Sequence, residues 1–380
     1  MCCWMILICM SRSRVQLYSR GRCPSGIKWL RELYWTLAAV RTILRLIMKA
    51  VVFAGPGNPL QLRQLPDPEP GPGEVVLRVE RCGICASELH LTGVANSMFP
   101  SGMILGHEVG GEVIALGRGV DQFKIGDAVV PMNCRGCTRC AECLSGRQYF
   151  CAQMAPNFGG YAQYMISSAA ACVPVPVRLS LADAALVEPL TVGLHAVTIA
   201  PLQPNDRVLV IGAGPIGLGA IFWANRFGAR RVVVTARSNR SEQIALSMGA
   251  TGFVPMLEGY QERILQELGG PADLVIECVG SGGTISKAVE LVKPRGTIVV
   301  VGLCLHAESF ISAPALLKEV KIQFAIGTSK AQIEAAANVL AAGAVMPRAM
   351  VTETISLEAL PGQFEAMRRH NNECKVLVAP

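Results

Sequence analysis

Runs of consecutive apolar residues dominate the second half of the chain. Four of them, separated by segments of helical length, span residues 207–211, 232–235, 274–276 and 297–301. Strands are continuously apolar when both faces of their sheet are covered, as in parallel sheets flanked by helices. The pattern therefore predicts an α/β fold with a doubly wound parallel sheet.

The first half has a different pattern. Between residues 48 and 165, short β-rich runs such as 74–79 and 128–130 alternate with glycine and proline, most densely over 66–73. Short strands separated by turn residues predict an all-β, loop-rich, barrel-like unit. The last fifty residues return to shorter elements and end in a strand-like run at 375–378.

Residues 1–47 fit neither pattern. The apolar run 1–10 is too short to span a bilayer, and positive charge follows it instead of preceding it as in a secretory signal. Apolar residues recur at helical spacing over 37–47, so a mitochondrial transit peptide or an interfacial helix is one interpretation. The favoured interpretation is a disordered leader or an over-extended start, because Met48 opens a natural first strand over 48–53.

Charge is divided unequally along the chain. The net charge of +7 comes from residues 1–47, which hold eight basic residues and one acid, while the remainder carries 27 of each sign. A body without net charge has no electrostatic footprint for nucleic acid, so none is expected as a partner. The 51% apolar and 17% charged residues are typical of a globular protein of two domains, and we expect no membrane association of residues 48–380.

Four cysteines between the prolines at 131 and 156 follow the spacing C-x2-C-x2-C-x7-C; they are Cys137, Cys140, Cys143 and Cys151. Thiolates so spaced can converge on one tetrahedral zinc ion at about 2.3 Å each and leave no open position, which predicts a structural site. A disulfide cluster or unrelated buried thiols are the alternatives. They are disfavoured because fifteen cysteines is an odd number and nothing resembles a small secreted scaffold. Cys134 is left as a spare thiol, since a series starting there needs a cysteine where Gln148 stands.

A glycine-rich turn follows the first apolar run. It has the pattern G-x-G-x-x-G and comprises Gly212, Gly214, Pro215, Ile216 and Gly217 around Ala213. Between a buried strand and a helix-length segment over 218–227, the pattern indicates a dinucleotide site, because the glycines allow a tight turn, pyrophosphate approach and close helix–strand packing. A merely tight turn is the alternative.

The residues at the end of the second apolar run indicate which dinucleotide is expected to bind. An acid there would accept the ribose 2′-hydroxyl of NAD, but this chain has Ala236, followed by Arg237, Ser238 and then Arg240. Two guanidiniums and a hydroxyl suit a 2′-phosphate, so NADP(H) is expected in preference to NAD(H). The alternative is that both arginines are solvated surface charges.

Further candidate ligands lie in the β-rich part. They occupy the segment 82–90, which holds two cysteines and His90, then His107 and Glu108, and later Glu188. Together they offer one thiolate, one imidazole and two carboxylates, enough for a three-ligand zinc with a fourth position open. A zinc site with these ligands and an open position is typical of a catalytic zinc. A histidine taken by itself, however, usually has a structural role.

The G-H-E motif at 106–108, the four-cysteine segment, the E-P-L segment at 188–190 and the later glycines occur in this order. The set resembles the zinc-dependent medium-chain dehydrogenase/reductases, and within them the sorbitol (polyol) dehydrogenase and ketose reductase group. The resemblance covers residues 48–380. It implies a GroES-like β-rich catalytic domain over 48–194 and 331–380, with a zinc lobe at 131–156, interrupted by a Rossmann NADP-binding domain over 195–330.

The resemblance also implies a ligand set for the catalytic zinc. Cys85 matches the thiolate ligand, because the family's ligand precedes an x-[ST]-[DE] triplet, and Cys82 is then a small buried residue. His107 matches the imidazole ligand. Glu108 matches a glutamate that binds the metal directly in polyol-type members, and Glu188 one at or beside the metal through its water. Which glutamate is the direct ligand stays open.

Three more residues match the family's proton-handling groups. Ser87 and His90 match a relay in which a hydroxyl hands the alcohol proton outward to a titratable imidazole. Glu88 matches an acid that orients the histidine ligand. With two zinc ions per chain, the expected reaction is hydride transfer between NADP(H) and a secondary alcohol, a diol or the ketone, zinc polarising the substrate oxygen.

Departures from the group's pattern limit the substrate. Polyol dehydrogenases carry an Arg-aromatic pair where this chain has Thr328, Ser329 and Lys330, and the loop 90–106 is short and apolar. A small secondary alcohol, vicinal diol or ketone is therefore favoured over a sugar polyol. Retention of all the ligand positions argues against the alternatives, a zinc-independent quinone or enoyl reductase and an inactive cofactor-binding member. The resemblance further implies a homodimer or homotetramer, and a cytoplasmic location unless 1–47 is a genuine transit peptide.

Overall fold

The computed structural model describes residues 8–11, 14–17, 47–200, 202–369 and 373–380. Within the first 46 residues it places two antiparallel strands, β1 (Ile8–Ser11) and β2 (Arg14–Leu17). The predicted amphipathic segment 37–47 lies outside the described residues except for Ile47. That residue begins β3, the first strand of a compact unit that extends to Pro380.

The β-rich part is built on a seven-stranded sheet. A two-stranded ribbon of β3 and β4 and a small ribbon of β8 and β9 accompany it. The strands of this part, in chain order, are β3 (Ile47–Val52), β4 (Gln61–Pro66), β5 (Glu74–Gly83), β6 (Glu108–Leu116), β7 (Ala128–Pro131), β8 (Cys134–Arg135), β9 (Ala155–Pro156), β10 (Tyr164–Ser168) and β11 (Cys172–Pro174).

The last two strands of the chain complete the seven-stranded sheet. It has the order β11-β7-β6-β5-β19-β18, with β10 also paired to β5; β18 is Val351–Ser356 and β19 is Lys375–Ala379. In the central antiparallel pair, Gly83 of β5 lies opposite Glu108 of β6. The segment after the parallel sheet therefore returns to the sheet that carries the ligand motifs.

The second sheet has six parallel strands in the order β14-β13-β12-β15-β16-β17. They are β12 (Arg207–Ile211), β13 (Arg231–Ala236), β14 (Gly252–Pro255), β15 (Ala272–Glu277), β16 (Val292–Val300) and β17 (Lys321–Phe324). Val208 and Val210 belong to one core and Leu209 and Ile211 to the core on the other face, all fully buried. This confirms the predicted α/β class: the strand order reverses beside β12, which is where doubly wound sheets bind dinucleotides.

Eleven α-helices lie in the described residues. They are α1 (Ala86–Gly93), α2 (Ala141–Leu144), α3 (Leu181–Ala184), α4 (Val187–Thr198), α5 (Pro215–Arg226), α6 (Glu242–Ser247), α7 (Tyr260–Leu268), α8 (Thr284–Leu291), α9 (Ser312–Leu317), α10 (Lys330–Ala341) and α11 (Leu360–Arg369). Among these described helices, none has the length and apolar character that crossing a bilayer requires.

Close packing of α4 against α5 links the two sheets. The Trp223 indole of α5 donates a hydrogen bond to the Leu190 carbonyl of α4 at 2.8 Å. A β-carbon on Gly193 would overlap the backbone at Gly219, so the helices touch along their main chains. Because α4 begins beside Glu188 and α5 begins at the glycine-rich turn, this contact fixes one motif relative to the other.

Candidate active site

Three predicted ligands from two segments of the chain converge in the β-rich part. Cys85 immediately precedes α1, whereas His107 and Glu108 lie at the start of β6. One donor atom from each lies within 4.8 Å of the other two. Zinc takes such sulfur, nitrogen and oxygen ligands at about 2.0–2.3 Å, so the donor set and its spacing fit a zinc ion.

A buried carboxylate orients the imidazole. The Nδ1 atom of His107 lies 2.9 Å from Oε1 of Glu88, which also accepts the backbone N–H of Gly106 at 2.8 Å, while its Oε2 accepts the Tyr161 hydroxyl. Burial opposes both charges, but the mutual attraction outweighs it, so the pKa of Glu88 is lowered and the pKa of His107 is raised. With Nδ1 engaged, Nε2 is the nitrogen left for a metal.

Glu108 has a partner that the sequence did not indicate. Both of its carboxylate oxygens lie 2.6 Å from Nζ of Lys375, the first residue of β19. Lys375 is 1% exposed, and burial alone would lower its pKa; the Glu108 charge raises that pKa instead. The pair is a buried salt bridge at the edge of the three-donor group.

Glu188 lies near this group without joining it. Glu188 is the second residue of α4, and its carboxylate accepts the side-chain N–H of Asn133 at 3.2 Å. Within the described residues, the three-donor group consists of Cys85, His107 and Glu108 alone. Burial raises the pKa of Glu188 to about 7, close to neutral pH.

The two residues of the expected relay are both on α1. The Ser87 hydroxyl donates to the Cys85 sulfur at 3.1 Å, and His90, one turn later, is exposed. The described residues show no hydrogen bond between Ser87 and His90. The serine therefore borders the Cys85 sulfur, and the histidine faces solvent.

Aromatic rings form an apolar wall beside the imidazole. Phe158 stacks on His107 with ring centroids 4.7 Å apart, and Phe99 lies 5.6 Å from Phe158. Phe99 is 5% exposed, whereas Met98 in the same loop is 65% exposed. An apolar wall next to a metal-ligand set suits a small substrate with few hydroxyl groups.

The four-cysteine segment folds into a second donor group. The sulfurs of Cys137, Cys140, Cys143 and Cys151 lie within 4.8 Å of one another. Backbone N–H groups at 137 and 153 point at the Cys151 sulfur, both at 3.3 Å. Hydrogen bonds from Arg139 and Cys140 lower the pKa of Cys137 to about 6, which favours the thiolate that binds zinc. Cys134 lies outside the group, buried on β8.

The glycine-rich turn has the geometry that its pattern predicts. Gly212 has φ +105°, a left-handed conformation that favours glycine, and a β-carbon on Gly217 would overlap the Gly212 carbonyl. Gly214 faces open space, because a β-carbon added there would have no neighbouring atom within 4 Å, and Pro215 is the first residue of α5, with Ile216 following. The turn thus leaves room for a ligand at the amino end of α5.

The segment expected to select the cofactor begins where β13 ends. Ala236 is its last residue and half-buried, while Arg237, Ser238 and Arg240 are exposed at or beside the 3-10 turn Asn239–Ser241. The last residue of β13 is thus an alanine and not an acid. Arg237 and Arg240 lie at the edge of the crevice on the β14 side.

Four residues next to the predicted groups escaped the sequence analysis: Tyr161, Lys375, Asn133 and Phe158. Lys375 lies 267 positions from Glu108 along the chain, and no local pattern joins the two. Asn133 lies between two residues of interest, Pro131 and Cys134, but an isolated amide has no distinguishing spacing. Only the strand-like run at 375–378 could have indicated that a lysine there becomes buried.

Two protein-family models match the chain. One is described as an alcohol dehydrogenase GroES-like domain and matches residues 71–177. The other is described as a zinc-binding dehydrogenase and matches residues 215–342. Together they cover parts of both sheets.

Curated relatives align over most of the chain. The sorbitol dehydrogenase of Bacillus subtilis is 31% identical over 344 residues, which covers 88% of this chain and 97% of the relative. Human sorbitol dehydrogenase is 32% identical, with coverages of 84% and 92%. An L-galactonate-5-dehydrogenase from Escherichia coli is 29% identical, with coverages of 80% and 91%.

Solved structures show the same architecture. The 2R,3R-butanediol dehydrogenase of Bacillus subtilis superposes with a TM-score of 0.79 at 26% identity, covering 88% of this chain and 99% of the other. A Sinorhizobium meliloti protein with NADP bound has a TM-score of 0.79 at 29% identity and the same coverages. Galactitol-1-phosphate dehydrogenase of Escherichia coli has a TM-score of 0.80 at 29% identity, with coverages of 88% and 100%.

Proposed function

The chain belongs to the zinc-dependent medium-chain dehydrogenase/reductase family, in its sorbitol dehydrogenase-like group, and we propose that it transfers a hydride between NADP(H) and a small secondary alcohol, diol or ketone. The observation that carries the proposal is the convergence of Cys85, His107 and Glu108 in the part of the chain that precedes the dinucleotide turn. A thiolate, an imidazole and nearby carboxylates form the donor set of a catalytic zinc with an open position.

We propose that each chain binds two zinc ions. Cys85 and His107 would bind the catalytic ion, with Glu108 and Glu188 as the carboxylates beside it. The structural ion would take the four thiolates of the lobe at 137–151. When bound, the catalytic zinc supplies a Lewis acid that favours loss of the alcohol proton.

The side chains around the site would orient the substrate and move its proton. Glu88 holds the His107 ring through Nδ1, and Phe158 packs on its face, so both contacts favour one ring orientation. Ser87, which touches the Cys85 sulfur, is placed to pass a proton away from the site, and the exposed His90 is the titratable group nearest to solvent on the same helix. A water or a substrate hydroxyl would complete that path, because the described residues show no hydrogen bond between the two side chains.

NADP(H) is the proposed cofactor, in preference to NAD(H). Its pyrophosphate would lie at the amino end of α5, over Gly214, and its 2′-phosphate beside Arg237, Ser238 and Arg240. The absence of an acid at Ala236 and the NADP bound to the Sinorhizobium meliloti relative support this choice.

A small substrate suits the apolar side of the site. Phe158 and Phe99 offer apolar rings, and no hydrogen-bonding side-chain atoms, to a substrate on that side. The segment 328–330 after β17 lacks the Arg-aromatic pair of polyol enzymes. The butanediol and polyol dehydrogenases among its relatives support the class of secondary alcohols and vicinal diols.

A panel of alcohols and ketones assayed with NADP(H) and NAD(H) tests the proposal. Small secondary alcohols and vicinal diols should be oxidised, and their ketones reduced, faster with NADP(H), and removal of zinc by a chelator should abolish turnover. Unchanged ketone, quinone or enoyl reduction after zinc removal would instead identify a zinc-independent reductase.

We also propose that the protein is a homodimer or homotetramer in a reducing, cytoplasmic compartment. The parallel sheet ends in β17, whose outer edge is unpaired in the described residues, and Leu316, Leu317, Phe324 and Ile326 beside it are more than half exposed. A second copy would cover this apolar edge. Thiolates that bind zinc persist in reducing compartments, and the intact mass of the native protein would show whether 1–47 is present.

A further inference from the structure

A polar cavity lies at the amino ends of the parallel strands, at the opposite end of β12 from the glycine-rich turn. Its volume is about 400 Å³, which is within the usual range for sites that hold small molecules. Three arginines line it, Arg207, Arg230 and Arg231, together with Asn205 and the carboxyl end of α7. Because β12 is five residues long, the cavity and the turn are about one strand length apart.

The backbone holds the three arginines side by side. Arg207 is the first residue of β12 and lies beside Arg231, the first residue of β13. Arg230 precedes Arg231, and its backbone N–H donates to the Asp206 carbonyl at 2.8 Å. The three side chains therefore begin at fixed points on two adjacent strands.

The acid in this cavity is too little to balance its positive charge. Asp273 is the only acid among the lining residues, and it bonds to Nε of Arg207 at 3.0 Å and to the Lys293 ammonium at 2.5 Å. Within the described residues, the exposed Arg230 and Arg231 guanidiniums have no hydrogen bond or ion pair. Four basic side chains and one carboxylate thus form a group with a net charge of +3.

This charge is a local feature, because residues 48–380 as a whole carry 27 basic and 27 acidic residues. Like charges on neighbouring positions of adjacent strands destabilise a sheet. The pairing of Arg207 with Arg231 therefore costs stability unless an anion lies between them. A guanidinium group matches the geometry of phosphate and carboxylate oxygens, so such an anion would be bound through these groups.

We propose that this cavity is a second ligand site, which binds a small polyanionic metabolite through its phosphate or carboxylate groups. A concave site of this size encloses a compact molecule, whereas a nucleic acid needs a longer basic stripe. The bound anion joins β12 to β13 at their amino ends and so stabilises the parallel sheet. The site is separate from the proposed hydride transfer, because it lies at the other end of the strands.

Two double variants locate the binding. Arg230→Gln with Arg231→Gln removes the unpaired guanidiniums of the cavity and is called the cavity variant. Arg237→Gln with Arg240→Gln, the crevice variant, is the matched change at the carboxyl end of β13, and it removes charges that could hold pyrophosphate in the proposed cofactor site. All four positions are exposed, so both proteins should fold.

Pyrophosphate and citrate are titrated into each full-length protein at low ionic strength, with isothermal titration calorimetry as the measurement. The wild type and the crevice variant should share one anion site, which the cavity variant should bind about tenfold to hundredfold more weakly, because charge-assisted hydrogen bonds are lost. Tighter binding of pyrophosphate identifies phosphates as the ligand class, and tighter binding of citrate identifies carboxylates.

Thermal unfolding gives a second readout that does not depend on activity. A saturating anion should raise the Tm of the wild type and of the crevice variant, and it should leave the Tm of the cavity variant unchanged. Absence of binding in the wild type overturns the inference, and so does equal binding by all three proteins. Loss of binding in the crevice variant alone also overturns it, because the anion then lies at the dinucleotide turn.

Discussion

In the proposed cofactor site, the side chain at the end of β13 is expected to select the dinucleotide. Ala236 presents no carboxylate, and Arg237 follows it at the exposed edge of the crevice. A carboxylate here would repel a 2′-phosphate and accept a 2′-hydroxyl. The proposed preference for NADP(H) therefore predicts that exchanging two neighbouring residues changes the cofactor selectivity.

The double change Ala236→Asp, Arg237→Ala should invert the preference. Charge-assisted hydrogen bonds contribute about 1.5–3 kcal/mol, so the ratio of kcat/KM for NADP to that for NAD should fall about tenfold to hundredfold. Steady-state kinetics with both cofactors measure the ratio. Arg178→Ala, an exposed arginine outside the parallel sheet, is the control and should leave it unchanged. An unaltered ratio in the double variant would contradict the assignment.

Site residues that belong to a spaced motif could be predicted from the sequence, whereas site residues that only contact a distant side chain could not. The spacing of the four cysteines predicted a group that folds together, because two-residue gaps on a turning backbone bring thiols to the same side of one loop. Lys375 and Tyr161 contact Glu108 and Glu88 from distant segments, and no periodicity or spacing marks such contacts. A buried charge pair is specified by the packing of distant segments of the chain, not by neighbours in sequence.

Strand β15 ties its neighbours together through one carboxylate. Asp273 accepts the backbone N–H and Nε of Arg207 on β12, at 2.8 and 3.0 Å, and the Lys293 ammonium on β16 at 2.5 Å. Burial would raise the pKa of Asp273, but these contacts hold it at about 2. The carboxylate therefore fixes three adjacent strands at their amino ends.

This carboxylate should make stability depend on pH in acid. Its folded pKa lies below the value of about 3.9 for an unfolded aspartate, so its contribution is complete above that pH and disappears as the pH falls towards 2. Asp273→Asn should cost about 1–2 kcal/mol at pH 7, since the partners are partly exposed. Urea unfolding at pH 7, 4 and 3 measures the difference between variant and wild type.

The difference should shrink between pH 4 and 3. Asp121→Asn, an exposed aspartate before β7, is the matched control and should show little cost at any pH. A cost for Asp273→Asn that stays constant down to pH 3 would contradict the account.

The elements of the parallel sheet were predictable because burial on both faces leaves a continuous apolar run. The run at 207–211 is β12, and the helix expected over 218–227 is α5, which begins three residues earlier at Pro215. The strand expected at 297–301 runs from Val292 to Val300 in the structure. The prediction missed its first residues because Lys293, Pro294 and Arg295 interrupt the apolar pattern. Residues 351–356 of β18 had no such run, since most of their side chains are exposed.

The unpaired edge of the parallel sheet bears on how copies of the chain assemble. Leu317 is 85% exposed and Phe324 65% exposed beside β17. If this edge joins two copies, Leu317→Glu combined with Phe324→Glu should reduce the mass in solution by a factor of about two, because charges replace the apolar contact. Sedimentation velocity measures it.

Val177→Glu is the control for that experiment. Val177 is fully exposed in the other part of the fold, so this variant should keep the wild-type mass. A double variant that sediments like the wild type would place the assembly surface elsewhere.

The order of the two sheets along the chain could be predicted, whereas the position of the last strand, β19, within the seven-stranded sheet could not. Residues 375–379 return to pair with both β5 and β18, and this pairing brings Lys375 to Glu108. The sequence shows a strand-like run there but not its neighbours, because pairing between distant strands leaves no local signal. The metal-ligand region is therefore a product of the complete fold from Ile47 to Pro380.

Zinc content and turnover of Cys85→Ala, measured together, test the central claim most directly. Cys134→Ala, another cysteine change but outside both donor groups, is the control. The wild type and the control should hold two zinc ions per chain and reduce a small ketone with NADPH. Cys85→Ala should hold one zinc, still bind NADPH and show no turnover. Ketone reduction by Cys85→Ala at the wild-type rate would contradict a zinc-dependent mechanism at this site.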